Sequence, residues 1–266
     1  MEAIYERPAD YDLEHNGDDE DVEFYRRLVE CLRARRVLEL ACGSGRVTIP
    51  LATAAPSLDF DVVGVDTSDA MLAEAEVKSA RMNDDARRRL SFVRADLRCW
   101  RSDRPFDLIV TPCASLSHLL TIEDQIAAWT SAHANLTPGG RFVVDLTMPN
   151  LPAYAESMHA QPRTLLEIDV DTKDPVTQAR LLRYKTTRYL AHEQRAEIRF
   201  LYDRFSNGDR PDRYISDFDS HVYYPRELEL LFRLTGFTVE HRYGDYRMRP
   251  LRASSRVMVM IGRRAE

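Results

Sequence analysis

The chain has 266 residues, 44% of them hydrophobic, and a formal net charge of −6. That length suits one large α/β domain, alone or with an insertion. The negative charge argues against a nucleic-acid partner, the absence of a long apolar run against a membrane span, and the four cysteines, with no CxxC spacing, against a disulfide framework or a metal site.

Residues 1–21 are acidic, lack the apolar core of a secretory signal, and are expected to be a flexible lead-in to a cytoplasmic protein. "VEFYRRLVECLRA" (22–34) spaces Val22, Tyr25, Leu28, Val29 and Leu32 as one helix face. The apolar run 37–41 predicts a buried strand, Gly43 to Gly45 a turn, and Arg46 to Ala54 a helix. "DVVGVD" (61–66) is a second strand, and Thr67-Ser68 caps the helix "DAMLAEAEVKSARM". "SFVRAD" (91–96) and "FDLIVT" (106–111) are further strands, residues 123–135 a helix, "TPGG" (137–140) a turn, and "RFVVDL" (141–146) a fifth strand. This alternation predicts a doubly wound, mostly parallel sheet, because each parallel crossover needs a covering helix.

After residue 150 the pattern changes. Long strand-like stretches over 163–224, rich in Tyr184, Tyr189, Tyr202, Tyr214, Tyr223 and Tyr224, predict an inserted antiparallel sheet. "PRELELLFRLTG" (225–236) then reads as a helix with proline at its start and glycine past its end. "FTVEHRYG" and "SRVMVMIGRR" complete a seven-stranded sheet. The expected domains are therefore 22–150 with 225–266, and an insertion at 151–224.

The chemistry concentrates at "VLELACGSGRVTIPLA" (37–52). A glycine turn at the carboxyl end of a first strand is where open α/β sheets bind ligands. Asp66, about 20 residues further on, ends the second strand, where a carboxylate accepts from both ribose hydroxyls. A dinucleotide turn would carry a third glycine where Thr48 stands, and a P-loop would carry Gly-Lys-Ser/Thr where Arg46-Val47 follows Gly45. Glu39, inside the strand, would repel a pyrophosphate and welcome an ammonium group. S-adenosyl-L-methionine, with an ammonium, a sulfonium, an adenosine and no phosphate, fits this combination.

The segments "VLELACGSG", "VVGVDTSDAML", "VRADLRCW", "FDLIVTPCASLSHL" and "LTPGGRFVVDL", in this order, resemble the class I S-adenosylmethionine-dependent methyltransferases of small molecules, with a Rossmann-like fold. The resemblance implies S-adenosyl-L-homocysteine as the product. It also implies Glu39 near the methionine ammonium, with Ala41, Cys42, Gly43 and Gly45 lining the cofactor through backbone. Asp66 would hold the ribose, Thr67 and Met71 would pack beside the adenosine, and Asp96 and Leu97 would meet the adenine. Thr111, Pro112, Cys113 and Ser115 would lie beneath the reacting sulfonium.

On the acceptor side, His118, a candidate base or donor, and Tyr11 are the candidate catalytic residues, Tyr11 and His15 are candidates for a segment folding over the site, and Ser115, Tyr243 and Tyr246 are candidates for the acceptor pocket. "TPCASLSHLL" lacks the [N/D]-P-P-[Y/F] signature for planar amide or nucleobase nitrogens. The resemblance points to a small-molecule acceptor, nitrogen before carbon or oxygen, in natural-product metabolism, with the inserted sheet as substrate lid or homodimer contact. The rivals are an NAD-dependent oxidoreductase, a non-catalytic cofactor-binding regulator, and an RNA methyltransferase, the last disfavoured by charge.

Overall fold

The computed structural model describes residues 3–17, 19–53, 61–159, 165–206 and 210–265. The expected helix end at residue 54, strand start at residue 164 and turn at 207–209 lie outside the described residues. In chain order the helices are α1 (Pro8–Glu14), α2 (Glu20–Leu32), α3 (Thr48–Thr53), α4 (Asp69–Ser79), α5 (Asp84–Arg88), α6 (Ile122–Asn135), α7 (Leu151–Ser157) and α8 (Pro225–Leu234). The strands are β1 (Arg36–Leu40), β2 (Asp61–Asp66), β3 (Leu90–Arg94), β4 (Phe106–Thr111), β5 (Leu136–Thr147), β6 (Glu167–Lys173), β7 (Arg180–Leu190), β8 (Arg195–Phe205), β9 (Asp212–His221), β10 (Phe237–Tyr243) and β11 (Val257–Arg264). They divide into two compact units, Asp19–Met148 with Tyr223–Glu266, and Met1–Asp18 with Pro149–Val222.

The first of these units holds a seven-stranded sheet in the order β10-β11-β5-β4-β1-β2-β3. All neighbours from β5 to β3 run parallel, and β11 lies antiparallel to both β5 and β10. The chain passes outward from β1 to β2 and β3, then returns to place β4 on the other side of β1. This reversal opens a crevice at the carboxyl ends of β1 and β4. Both faces of the sheet's centre are covered, so its central strands are largely apolar. Leu38, Ile109, Phe142 and Val144 pack with Trp129 of α6 and Phe232 of α8 on one face. Val37, Leu108 and Val143 pack with Phe24, Tyr25 and Leu28 of α2 on the other. Among the described residues no helix is long and apolar enough to cross a membrane.

Some boundaries differ from the sequence expectation. β5 begins at Leu136, so "TPGG" lies inside the strand rather than before it. Leu136 pairs with Phe106, and an irregularity between Phe106 and Leu108 absorbs the extra residues. β1 stops at Leu40, because Ala41 turns to φ +57.

The second unit is a four-stranded antiparallel sheet in the order β6-β7-β8-β9. Residues 3–17, expected to be loose, are largely helical and packed on it. Ile4 and Leu13 are buried with Leu181 and Tyr202. Two carboxylates one helical turn apart explain the order. Asp10 accepts from Arg204 and from the Tyr214 hydroxyl at 3.0 Å. Glu14 accepts from the Tyr202 hydroxyl at 2.9 Å and faces Arg183 at 3.0 Å. The Tyr202 and Tyr214 rings stack at 4.6 Å.

Candidate active site at the glycine turn

The turn after β1 is built from left-handed backbone. Ala41, Gly43 and Gly45 have φ of +57, +53 and +77. Gly43 faces open space: a Cβ there would meet no atom within 4 Å, so a ligand can approach its backbone. Gly45 is crowded instead, since a Cβ would lie 3.0 Å from Ile49 Cδ1 and 3.2 Å from Phe92. On the neighbouring strand Gly64 leaves room for buried Cys42, whose Sγ would lie 2.8 Å from an added Cβ.

Asp66 braces this turn from β2. Its Oδ2 accepts the Gly43 amide at 2.8 Å, and its Oδ1 accepts the Ser68 amide at 2.9 Å. Each oxygen keeps lone-pair capacity for a further donor. Ser68 caps α4 by accepting from the Met71 amide at 3.3 Å; Met71 is buried and Thr67 is exposed. The Ala95 amide donates to the Asp66 carbonyl at 2.9 Å, which fixes the next segment beside it. There Asp96 accepts from the Arg98 amide at 2.9 Å and from its guanidinium, while Arg98 also reaches Asp124 at 2.6 Å. Arg98 thereby holds the Asp96 carboxyl below the usual carboxylate range. Leu97 is half-buried against the core.

Glu39 is 2% exposed, in a strand hydrogen-bonded on both sides. The Thr48 hydroxyl donates to its Oε2. Burial pushes the carboxyl up to about 8, against the pull of Thr48 and the Arg46 charge. Thr48 stands where a dinucleotide turn would carry glycine, and its side chain serves the carboxylate below.

The segment after β4 forms a second left-handed corner, with φ of +57 at Cys113 and +54 at Ala114. Such backbone costs roughly 1–2 kcal/mol per non-glycine residue. Buried Thr111 donates to the Val143 carbonyl at 3.3 Å, and Ser115 donates to the Pro112 carbonyl at 2.7 Å. A 3-10 turn, Ser115–His118, follows. Solvent reaches the His118 ring, yet the surrounding protein strips enough water to lower its pKa, against an opposing pull from the Asp66 charge.

Four side chains here were not singled out from the sequence. Asp145, at the end of β5 and 2% exposed, accepts from the Tyr25 hydroxyl at 2.6 Å, the Ala114 amide at 3.1 Å and the Tyr246 hydroxyl at 3.4 Å. Burial raises its carboxyl to about 6. Arg46 forks onto buried Asp21, with Nη1 3.0 Å from Oδ1, and its Nη2 lies 2.6 Å from Cys113 Sγ. The available signal was an acid inside an apolar run: "VVDL" carries Asp145 as "VLEL" carries Glu39.

Of the acceptor-side candidates, Tyr246 reaches this network, and the Tyr243 ring stacks on His241 at 5.4 Å and meets Phe24 edge-on at 6.5 Å. Tyr11 and His15 belong to the other unit, where their rings lie 4.6 Å apart.

A parallel sheet with a glycine turn at its switch point and a carboxylate ending the second strand defines a nucleoside-binding Rossmann-like domain. Residues 37–140 match the family model described as a methyltransferase domain. Trans-aconitate 2-methyltransferase from Streptomyces avermitilis is 36% identical over 105 residues, 40% of this chain and 36% of that one. The matched stretch spans about half or less of the length of the curated relatives it matches. Among solved structures, the CcbJ methyltransferase from Streptomyces caelestis superposes with a TM-score of 0.74 at 24% identity, covering 92% of this chain and 90% of that one. The sugar N-methyltransferase KedS8 from Streptoalloteichus sp ATCC 53650 does so at 0.71 and 19% identity, covering 97% and 93%. The fold is that of these solved methyltransferases, and residues 37–140 match a methyltransferase domain.

Proposed function

We propose that this chain transfers a methyl group from S-adenosyl-L-methionine to a small-molecule acceptor, with nitrogen preferred over carbon or oxygen, in secondary metabolism. The observation that carries the reading is one pair of carboxylates: Asp66 braced on the Gly43 amide, and Glu39 buried behind the same turn. The open face of Gly43 accommodates a ligand on the backbone. A buried acid at Glu39 suits a cation and opposes the pyrophosphate of a dinucleotide. S-adenosyl-L-methionine would supply an electrophilic methyl on sulfonium, and S-adenosyl-L-homocysteine would leave.

The chain's own residues would then bind, orient and exclude water. Asp66 would accept from the ribose hydroxyls, Asp96 from the adenine amine, and Glu39 from the ammonium. Thr111 to Ser115 would form the floor beneath the transferred methyl. His118, kept neutral by its lowered pKa, would be able to take a proton from the acceptor. An amine acceptor needs only its neutral form, which is why nitrogen stands first. Tyr11 and His15 would serve the acceptor from the N-terminal helix, with Tyr243 and Tyr246 as pocket walls. The four-stranded unit would act as substrate lid or dimer contact in a cytoplasmic homodimer.

Isothermal titration with S-adenosyl-L-homocysteine tests the cofactor. Incubation with S-adenosyl-L-methionine and a panel of nucleotide-linked amino sugars, with trans-aconitate as the carboxylate comparison, tests the acceptor by mass gain. Absence of S-adenosyl-L-homocysteine binding overturns the reading. Methylation of trans-aconitate alone overturns the preference for nitrogen.

A further inference from the structure

We propose that Asp145 is a positioning residue: it locks the left-handed Cys113–Ala114 corner in place, so that the loop beneath the methyl group is set before an acceptor arrives. The inference rests on the glycine turn being the cofactor site.

The two carboxylate oxygens divide their work. Oδ1 takes the Ala114 amide at 3.1 Å; Oδ2 takes the Tyr25 hydroxyl at 2.6 Å and the Tyr246 hydroxyl at 3.4 Å. One side chain thus joins β5, α2, the loop after β4 and the connection between β10 and β11. Burying an acid at the end of an apolar strand is unfavourable unless its partners are fixed. Here the partners include a backbone amide at a corner that the chain does not adopt unaided. Consecutive non-glycine residues with positive φ persist only where their surroundings over-determine them.

A second tie reaches the same corner from the glycine turn. Arg46, adjacent to Gly45, is fixed on Asp21 and places Nη2 2.6 Å from Cys113 Sγ. Cys113 is therefore held from the cofactor turn and Ala114 from β5. The distance between turn and loop, which in-line displacement requires to be constant, is set by these two ties.

Hydrogen exchange tests this, with S-adenosyl-L-homocysteine bound and with the peptide spanning residues 112–119 as the readout. Asp145→Ala is expected to speed exchange there by about tenfold or more, because a bond to a charged acceptor is lost. Affinity for S-adenosyl-L-homocysteine should be unchanged. Asp145→Asn should restore slow exchange, since its amide oxygen still accepts the Ala114 amide and its NH2 can donate to the tyrosine oxygens. With an amino-sugar nucleotide that turns over, Asp145→Ala should lower kcat by about 100-fold at unchanged cofactor KM, as a misplacement of about 1 Å does.

Unchanged exchange in 112–119, or faster exchange spread evenly over the sheet, overturns the proposal. If Asp145→Ala does not fold, Tyr25→Phe gives the same reading: it keeps the acid, removes one donor, and must speed exchange in that peptide. A wild-type chain that binds no S-adenosyl-L-homocysteine overturns the functional reading instead, while exchange in the ligand-free protein still decides the role of Asp145.

Discussion

Thr48 and Glu39, nine residues apart, meet beneath the glycine turn, the hydroxyl of one donating to the carboxylate of the other. Burial lifts the Glu39 pKa to about 8, against the pull of this hydroxyl, which favours the protonated acid near neutrality. An ammonium-bearing ligand would favour the ionised form. Titration of S-adenosyl-L-homocysteine at pH 7 in buffers of different ionisation enthalpy is expected to show proton release, lost in Glu39→Gln. Proton uptake, or none, would count against an ammonium beside Glu39.

The same shift links stability to pH. Folding raises the Glu39 pKa, so its contribution is fully present below the ordinary glutamate range and is lost as pH rises toward about 8. Asp145 acts in the same sense up to about 6. Without ligand, Glu39→Gln should therefore gain on the wild type between pH 5 and 8, by up to about 1.4 kcal/mol per pH unit. Thermal melts of both proteins across that range, read as a difference, check this.

Asp66 braces Gly43 and, in the proposed function, accepts from a ribose. Asp66→Ala should weaken S-adenosyl-L-homocysteine binding by about 100-fold, and Asp66→Asn by less, since one acceptor oxygen remains. Calorimetry gives both values; equal affinity of Asp66→Ala and wild type would remove Asp66 from the site.

Gly64 is required by space. An alanine Cβ would lie 2.8 Å from Cys42 Sγ and 2.9 Å from Phe92 Cδ1. Gly64→Ala should cost about 1–3 kcal/mol. Cys42→Ala in the same chain should recover part of that, giving a non-additive cycle in denaturant melts.

The N-terminal helix is held by Asp10 and Glu14. Asp10→Ala leaves the partly buried Arg204 without its carboxylate and Tyr214 without its acceptor, and should cost about 2 kcal/mol. Limited proteolysis should then cut near α1 sooner, with cofactor affinity retained.

Much of this was legible beforehand. The apolar runs ending at Asp66 and Thr111 give β2 and β4 to the residue, and α8 starts at Pro225 as expected. Glu39 and Asp66 stood out because an acid in an apolar strand needs a reason. Asp145 carries the same signal, but its partners, Tyr25 and Ala114, lie 120 and 31 residues away, beyond the reach of any local pattern. The same distance hid the order of the first residues. Asp10 and Glu14 look like solvated acids until strands some 190 residues later supply arginine and tyrosine.

That separation has a consequence during synthesis. Ile4 donates its amide to Ser216 across 212 residues, and the four-stranded unit is built from both ends of that interval. A nascent chain emerges N-terminus first, so α1 leaves the ribosome long before its docking strands exist. Its helix is too short to persist alone. This segment, made before the strands it docks on, is thus seated only after them, and truncated translation products would carry it unseated, with Ile4 and Leu13 open to proteases.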